Sequence, residues 1–155
     1  MSIELLRKSN ALLEGHFMLS SGKHSDGYVQ CAKLLQYPQM AEEALRPVVE
    51  KLREVEIDKV VGPAMGGIIV AYEIGRQLGK PAIFTERVDG RMTIRRGFEI
   101  RPGERVLITE DVVTTGKSAK EAIEAVEALG GEIVGVASLV NRNVGSFDYP
   151  IYWAT

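Results

Sequence analysis

One cysteine, two histidines, one tryptophan and a net charge of only −2 mark what this chain of 155 residues lacks. The lone Cys31 excludes an internal disulfide and fits a reducing compartment. His16 and His24 lie across turns with no cysteine at ligand spacing, so a zinc site is not expected. Near-balanced charge gives no general pull toward nucleic acid or anionic membrane, and neither is expected as a partner. No apolar run approaches the ~20 residues needed to span a bilayer. The N-terminus, Met-Ser-Ile-Glu-Leu-Leu-Arg-Lys, has no apolar signal core, so a cytoplasmic protein is expected. Internal repeats, low-complexity tracts and linkers are missing as well. An apolar content of 45% and a charged content of 26% suit a globular chain. One domain spanning residues 1–155 is expected, with 1–36 as an N-terminal helix and hood and 37–155 as an α/β core.

What is there is concentrated in residues 106–123. Val106, Leu107 and Ile108 read as a strand buried on both faces. From Ala119 the apolar positions Ala122, Ile123, Val126 and Leu129 keep helical spacing. Between them stand the adjacent carboxylates Glu110 and Asp111, then Val112, Val113, Thr114, Thr115, Gly116, Lys117 and Ser118. A turn at the carboxyl end of such a strand is where open α/β sheets bind ligands. Hydroxyls, a glycine and the free N–H groups of a helix start suit an anion. The two acids would repel a phosphate, so they suit a neutral part of the same ligand, such as a sugar diol. The ligand read from these residues is a sugar phosphate. A nucleotide P-loop is rejected, because Asp111 stands where that motif needs glycine. An ordinary strand, acidic turn and capped helix would explain the Thr and Ser but not two unneutralised acids.

The remaining elements follow from periodicity. Residues 3–13 read as a short amphipathic helix ending at Gly15, and 16–31 as irregular chain with short strands around Ser-Ser-Gly and Asp-Gly turns. Ala41, Ala44, Leu45, Val48, Val49 and Leu52 place a helix over 39–54. Asp58–Val61 reads as a strand, followed by the turn Gly62-Pro-Ala64-Met65-Gly66-Gly67 and a helix over Ile68–Leu78. That turn could cradle an anion with backbone amides, or its glycines could serve only close packing. Pro81–Thr85, Glu132–Val140 and Phe147–Trp153 read as further strands. Residues 86–99 hold Arg87, Arg91, Arg95 and Arg96 about an Asp89-Gly90 hairpin turn. Arg87, Arg91 and Arg95 share parity and could share a face. A solvated hairpin is the plain reading. An arginine lid closing on a polyanion is favoured, because four arginines within ten residues exceed solubility needs.

The acids, the two valines and Thr-Thr-Gly-Lys-Ser resemble the phosphoribosyl-pyrophosphate (PRPP) signature of type I phosphoribosyltransferases. Phe17-Met-Leu-Ser-Ser-Gly-Lys-His-Ser-Asp-Gly-Tyr28 is similar to the N-terminal pattern of orotate phosphoribosyltransferases. The resemblance covers nearly the whole chain. It implies a central parallel sheet flanked by helices, an N-terminal hood and an exposed β-arm or lid at 86–99. It implies Glu110 and Asp111 at the ribose hydroxyls, with Val112–Ser118 around the 5′-phosphate and Ala64, Met65, Gly66 and Gly67 at pyrophosphate. It also implies Arg87 and Arg91 from the lid, Ser21, Gly22 and Lys23 near the base, and Arg142 at the orotate carboxylate. Lys23 could equally be a solvated turn lysine; for Arg142 a surface arginine after a strand is the lesser alternative.

The implied reaction transfers ribose 5-phosphate from PRPP to orotate, giving orotidine 5′-monophosphate and pyrophosphate in pyrimidine biosynthesis. Magnesium would come with PRPP, and Asp111 could hold it through water. A cytoplasmic homodimer sharing the lid across its interface is the implied assembly. The sequence departs from the pattern in places. Ser20 and Gly66 stand where members carry lysine, the lid has neither lysine nor histidine, and the chain ends earlier than members commonly do. A lysine or histidine acid from the lid is therefore ruled out. A phosphoribosyltransferase for another base and a non-catalytic regulator that binds PRPP or nucleotides stay open as alternatives.

Overall fold

The computed structural model describes residues 4–5, 8–9, 12–18, 24–142 and 147–155, and of 12–18 and 24–29 the backbone only. In chain order the elements are β1 (Leu12–Met18), β2 (His24–Val29), α1 (Cys31–Leu35), α2 (Pro38–Leu52), β3 (Lys59–Pro63) and α3 (Gly66–Leu78). They continue with β4 (Ala82–Val88), β5 (Arg91–Thr93), β6 (Arg105–Val113), α4 (Lys117–Ala128), β7 (Glu132–Asn141) and β8 (Ile151–Trp153). Six strands form one sheet in the order β5-β4-β3-β6-β7-β8. Its neighbours are parallel except β4–β5, an antiparallel hairpin.

Strand alternation divides the core in two. Val60, Leu107, Ala137 and Leu139 meet Leu45, Val48, Val49 and Leu52 of α2 and Val70 and Ile74 of α3. Val61, Val106, Ile108 and Val136 meet Ala119, Ala122, Ile123 and Val126 of α4. Helices therefore cover both faces, as a parallel sheet requires. Leu45, Val48, Val49 and Leu52 are fully buried, and truncating such a leucine to alanine costs about 2–5 kcal/mol.

Several expectations change. Only Glu4, Leu5 and Lys8 are helical among the described residues near the N-terminus, with Ser9 N–H donating to Leu5 O at 3.0 Å. The helix expected to run to residue 13 gives way to β1, which pairs antiparallel with β2. So short a helical period is marginal by itself, and a ladder partner claims Leu12 onward. The last strand is Ile151–Trp153 alone, without Phe147. The acids are not in a turn, because β6 runs to Val113 and carries both of them.

The arm is also less free than expected. Asp89 and Gly90 have φ of 51° and 79°, the positive values of a tight hairpin turn. Its register sets Arg87 opposite Met92 and Val88 opposite Arg91. Cross-strand partners share a face, so Arg87 and Arg91 point to opposite sides and the common-parity expectation fails. A two-residue turn reverses the parity that a continuous strand would keep. Met92 is buried, and Arg87 reaches Glu121 on α4.

Candidate active site

The site begins with a length mismatch between strands. Pairing of β3 with β6 ends at Val61–Ile108, whereas pairing of β6 with β7 continues to Val113–Asn141. Residues 109–113 thus project past β3 along one edge. The glycine turn fills the space: Thr109 Oγ1 donates to Gly67 O at 3.0 Å. A Cβ on Gly67 would lie 2.6 Å from Thr109 O, and one on Gly62 would lie 2.1 Å from Gly67 O. Such separations are below any tolerable contact, so only glycine lets the turn lie against β6. Gly66 is held for a different reason, since its Cβ would stand 2.6 Å from Asp111 Oδ1. Any side chain here would require the Asp111 carboxylate to shift. Ala64 N–H is committed to Thr85 O at 2.7 Å, and Ile68 N–H to Met65 O at 3.1 Å. The amides of Met65, Gly66 and Gly67 lie between these at the mouth of the turn. The Ala64–Met65 peptide is cis.

Asp111 therefore faces the glycine turn. Its Oδ1 accepts from Val112 N–H at 2.7 Å. Strand alternation sends Glu110 to the other side, where Ser138 is its register partner on β7. Neither acid has an ion pair among the described residues. Burial, and then the charge of Asp111, push Glu110 up to about 8. Burial also raises Asp111, against the opposing pull of backbone N–H groups. Two half-buried carboxylates without a cation are costly to the empty protein, as expected of groups kept for a ligand. Behind them the buried Cys31 thiol points at Asp111 O, 3.9 Å away, and burial pushes its pKa up, so it is no nucleophile.

The second turn follows directly. Val113 is buried, so its side chain belongs to the core, and its carbonyl accepts Arg142 N–H at 2.7 Å. That bond sets Arg142, expected near the base, beside the start of the turn. Thr114, Thr115 and Lys117 are exposed and Ser118 half-buried. Gly116 is the N-cap of α4 at φ 80° and offers no side-chain cap. The first turn of α4 contains no acid. Lys117 N–H makes only a long contact with Thr115 Oγ1, at 3.4 Å. Uncapped amides, hydroxyls and a helix dipole leave this turn fit for an anion. Phe147 lies on Gly116, where a Cβ would fall 2.2 Å from the ring, and Lys120 sits 5.3 Å from that ring.

Two lid arginines are already occupied. Arg87 makes a two-pronged contact with Glu121, both distances 2.7 Å. Arg96 does the same with Glu86, at 2.5 and 3.0 Å, over the face of Phe84. Arg91 and Arg95 are exposed and make no ion pair among the described residues. Ser21, Gly22 and Lys23 lie outside the described residues. The structure thus brings together Glu110, Asp111, Ala64–Gly67, Val112–Ser118 and the backbone of Arg142, with Arg87 tied one helical turn away. Glu121 and Phe147 escape sequence reasoning, because their contacts span 34 and 31 positions.

The chain matches the phosphoribosyl transferase domain family over residues 32–152. It is 54% identical over 149 residues to an orotate phosphoribosyltransferase of Caldanaerobacter subterraneus subsp. tengcongensis, covering 96% of this chain and 78% of that one. Its fold matches the orotate phosphoribosyltransferase of Aeropyrum pernix with a TM-score of 0.81 at 26% identity, covering 99% of this chain and 92% of that one. It also matches the Mycobacterium tuberculosis orotate phosphoribosyltransferase in complex with inorganic phosphate, with a TM-score of 0.72 at 32% identity, covering 90% and 80%. Two turns that open helices, and two acids without an ion pair among the described residues, stand on the scaffold these proteins share, and the chain belongs to the phosphoribosyltransferase family, with the orotate phosphoribosyltransferases.

Proposed function

We propose that this chain is an orotate phosphoribosyltransferase, acting as one domain over residues 1–155. It transfers ribose 5-phosphate from PRPP to N1 of orotate and releases pyrophosphate, a step of pyrimidine biosynthesis. The bond from C1 of ribose to the pyrophosphate oxygen breaks, the C1–N1 bond forms, and N1 loses its proton to solvent. The observation that carries this reading is the pairing of two amide turns with an unneutralised carboxylate between them, at Gly66 and Asp111. In a substrate with two phosphate ends and a neutral diol, those three features have three matching parts. Thr114–Ser118 would hold the 5′-phosphate, Met65–Gly67 the pyrophosphate, and Glu110 and Asp111 the ribose hydroxyls from either side of β6. Positive charge developing at C1 would then sit near two carboxylates, and positioning plus electrostatics supply most of the acceleration.

Among the described residues no three His, Cys, Asp or Glu side chains cluster as a metal site. The oxygen donors of Glu110 and Asp111 suit magnesium carried by PRPP itself, with Asp111 reaching it through water. Bound there, magnesium would offset the pyrophosphate charge. Arg87 would do the same from the lid, Arg91 standing on the hairpin's other face, and Ser21, Gly22, Lys23 and Arg142 would receive the base. A spectrophotometric assay with orotate, PRPP and magnesium tests the reading. Loss of orotate absorbance is expected, and turnover of another base in place of orotate would contradict it.

The assembly we infer is a homodimer built on α3. Met65, Ile69 and Tyr72 are 84%, 47% and 71% exposed and follow one helical stripe. Beside them Leu35, Pro38 and Ala41 line an apolar groove. Because Met65 belongs to the glycine turn, this interface would bring the partner's lid toward the site. Ile69→Glu should convert a dimer to a monomer in light scattering. No helix among the described residues is long and apolar enough to cross a membrane, and the reduced thiol of Cys31 suits a cytoplasmic site of action.

A further inference from the structure

We propose that Glu121 is a positioning residue that holds the lid's Arg87 in place of a substrate phosphoryl group and yields it when the pyrophosphate end of PRPP arrives. The two-pronged contact at 2.7 Å on both arms is the geometry a guanidinium uses for a phosphoryl group. Glu121 lies on the second turn of α4, one turn past the uncapped phosphate turn. It is four residues after Lys117, on the same helix face. Its acidity is increased first by Arg87 and then by Lys117, so one carboxylate balances two cations that face the substrate's phosphates. Glu124, one turn further along the same groove, has no lid arginine bound to it.

The physical consequence is a competition. An arginine left loose in solvent samples many rotamers, and binding a phosphate must then order it. Held by Glu121 it is already extended along α4, and Met92 anchors the hairpin from the opposite strand. A carboxylate carries one charge and a pyrophosphate group several, so the incoming ligand wins the guanidinium. Breaking an exposed pair is cheap enough for that exchange to be reversible. Glu121 thus trades some affinity for a lid that waits in register, and the release of Arg87 is linked to arrival of the pyrophosphate end at Met65–Gly67.

This inference rests on the reading of Arg87 as a pyrophosphate contact, so the test separates the two. Steady-state kinetics would be measured for the wild type, Glu121→Gln, Glu124→Gln, Arg87→Ala and the Arg87→Ala, Glu121→Gln double variant, each checked for an unchanged melting temperature. Glu121→Gln is expected to lower KM for PRPP about two- to fivefold, the range an exposed ion pair is worth. KM for orotate should stay constant, and Glu124→Gln should match the wild type. In the Arg87→Ala background the effect of Glu121→Gln should disappear. An unchanged or raised KM for PRPP in Glu121→Gln overturns the proposal, as does an equal gain without Arg87, which would reflect charge alone. Wild-type PRPP kinetics in Arg87→Ala would instead sink the role of Arg87 itself.

Discussion

The turn after β3 and the turn after β6 lie side by side and both open a helix, yet they are built in opposite ways. In the first, Gly62, Gly66 and Gly67 are each hemmed in by backbone or by Asp111 at under 3 Å from where a Cβ would be. In the second, Thr114, Thr115 and Lys117 stand open to solvent, and Gly116 alone is covered, by Phe147. Glycines in the first turn are there because the chain has no room. The hydroxyls and amides of the second are open to solvent, as a ligand contact would require. A glycine-rich turn and a Thr/Ser-rich turn can therefore serve one substrate while failing differently when mutated.

Substitutions can break that contrast, beginning with the most damaging. Gly62→Ala forces a methyl to 2.1 Å from Gly67 O and should cost about 3 kcal/mol or more, read by urea denaturation. Glu110→Gln with Asp111→Asn should lower turnover by about 100-fold or more while circular dichroism stays native. Glu110→Gln alone should alter the pH dependence of stability. Because the folded pKa of Glu110 lies above its ordinary value, at about 8, the folded state holds that proton more tightly. Stability from this group is full below about 4.5 and is lost as pH rises through about 8. The glutamine removes that loss, a gain of about 1–2 kcal/mol at pH 8.5 given the group's partial exposure. Thr115→Ala or Ser118→Ala should change stability by less than about 0.5 kcal/mol. Either should raise KM for PRPP about tenfold, the worth of one charge-assisted hydrogen bond.

Local pattern carried most of the sheet and its helices. Helical periods in α2 and α4 and the apolar run of β7 depend on neighbours in the chain and were legible within a few residues, whereas β6 runs on to Val113, past its apolar run and through the acids. The acids and the Thr-Thr-Gly-Lys-Ser turn were legible as a candidate site for the same reason, since charge and backbone freedom are local properties, and the structure sets Asp111 against the glycine turn. Register was not. Whether Arg87 and Arg91 share a face depends on a two-residue turn reversing parity, and which glycine meets Asp111 depends on how far β6 outruns β3. Pairings between Arg87 and Glu121, Phe147 and Gly116, or Cys31 and Asp111 join distant positions and leave no trace in spacing. The N-terminal helix was overextended because Leu12 and Leu13 fit a helical stripe as well as a strand.

The central claim is that sugar hydroxyls go to Glu110 and Asp111 while the sugar's phosphate goes to the open turn before α4. Amide chemical-shift mapping during titration with ribose 5-phosphate tests it most directly. The largest shifts are expected at residues 114–118, with smaller ones at 110–111 that vanish in the Glu110→Gln, Asp111→Asn variant. Shifts centred on another edge of the sheet, with 114–118 silent at saturation, would contradict it.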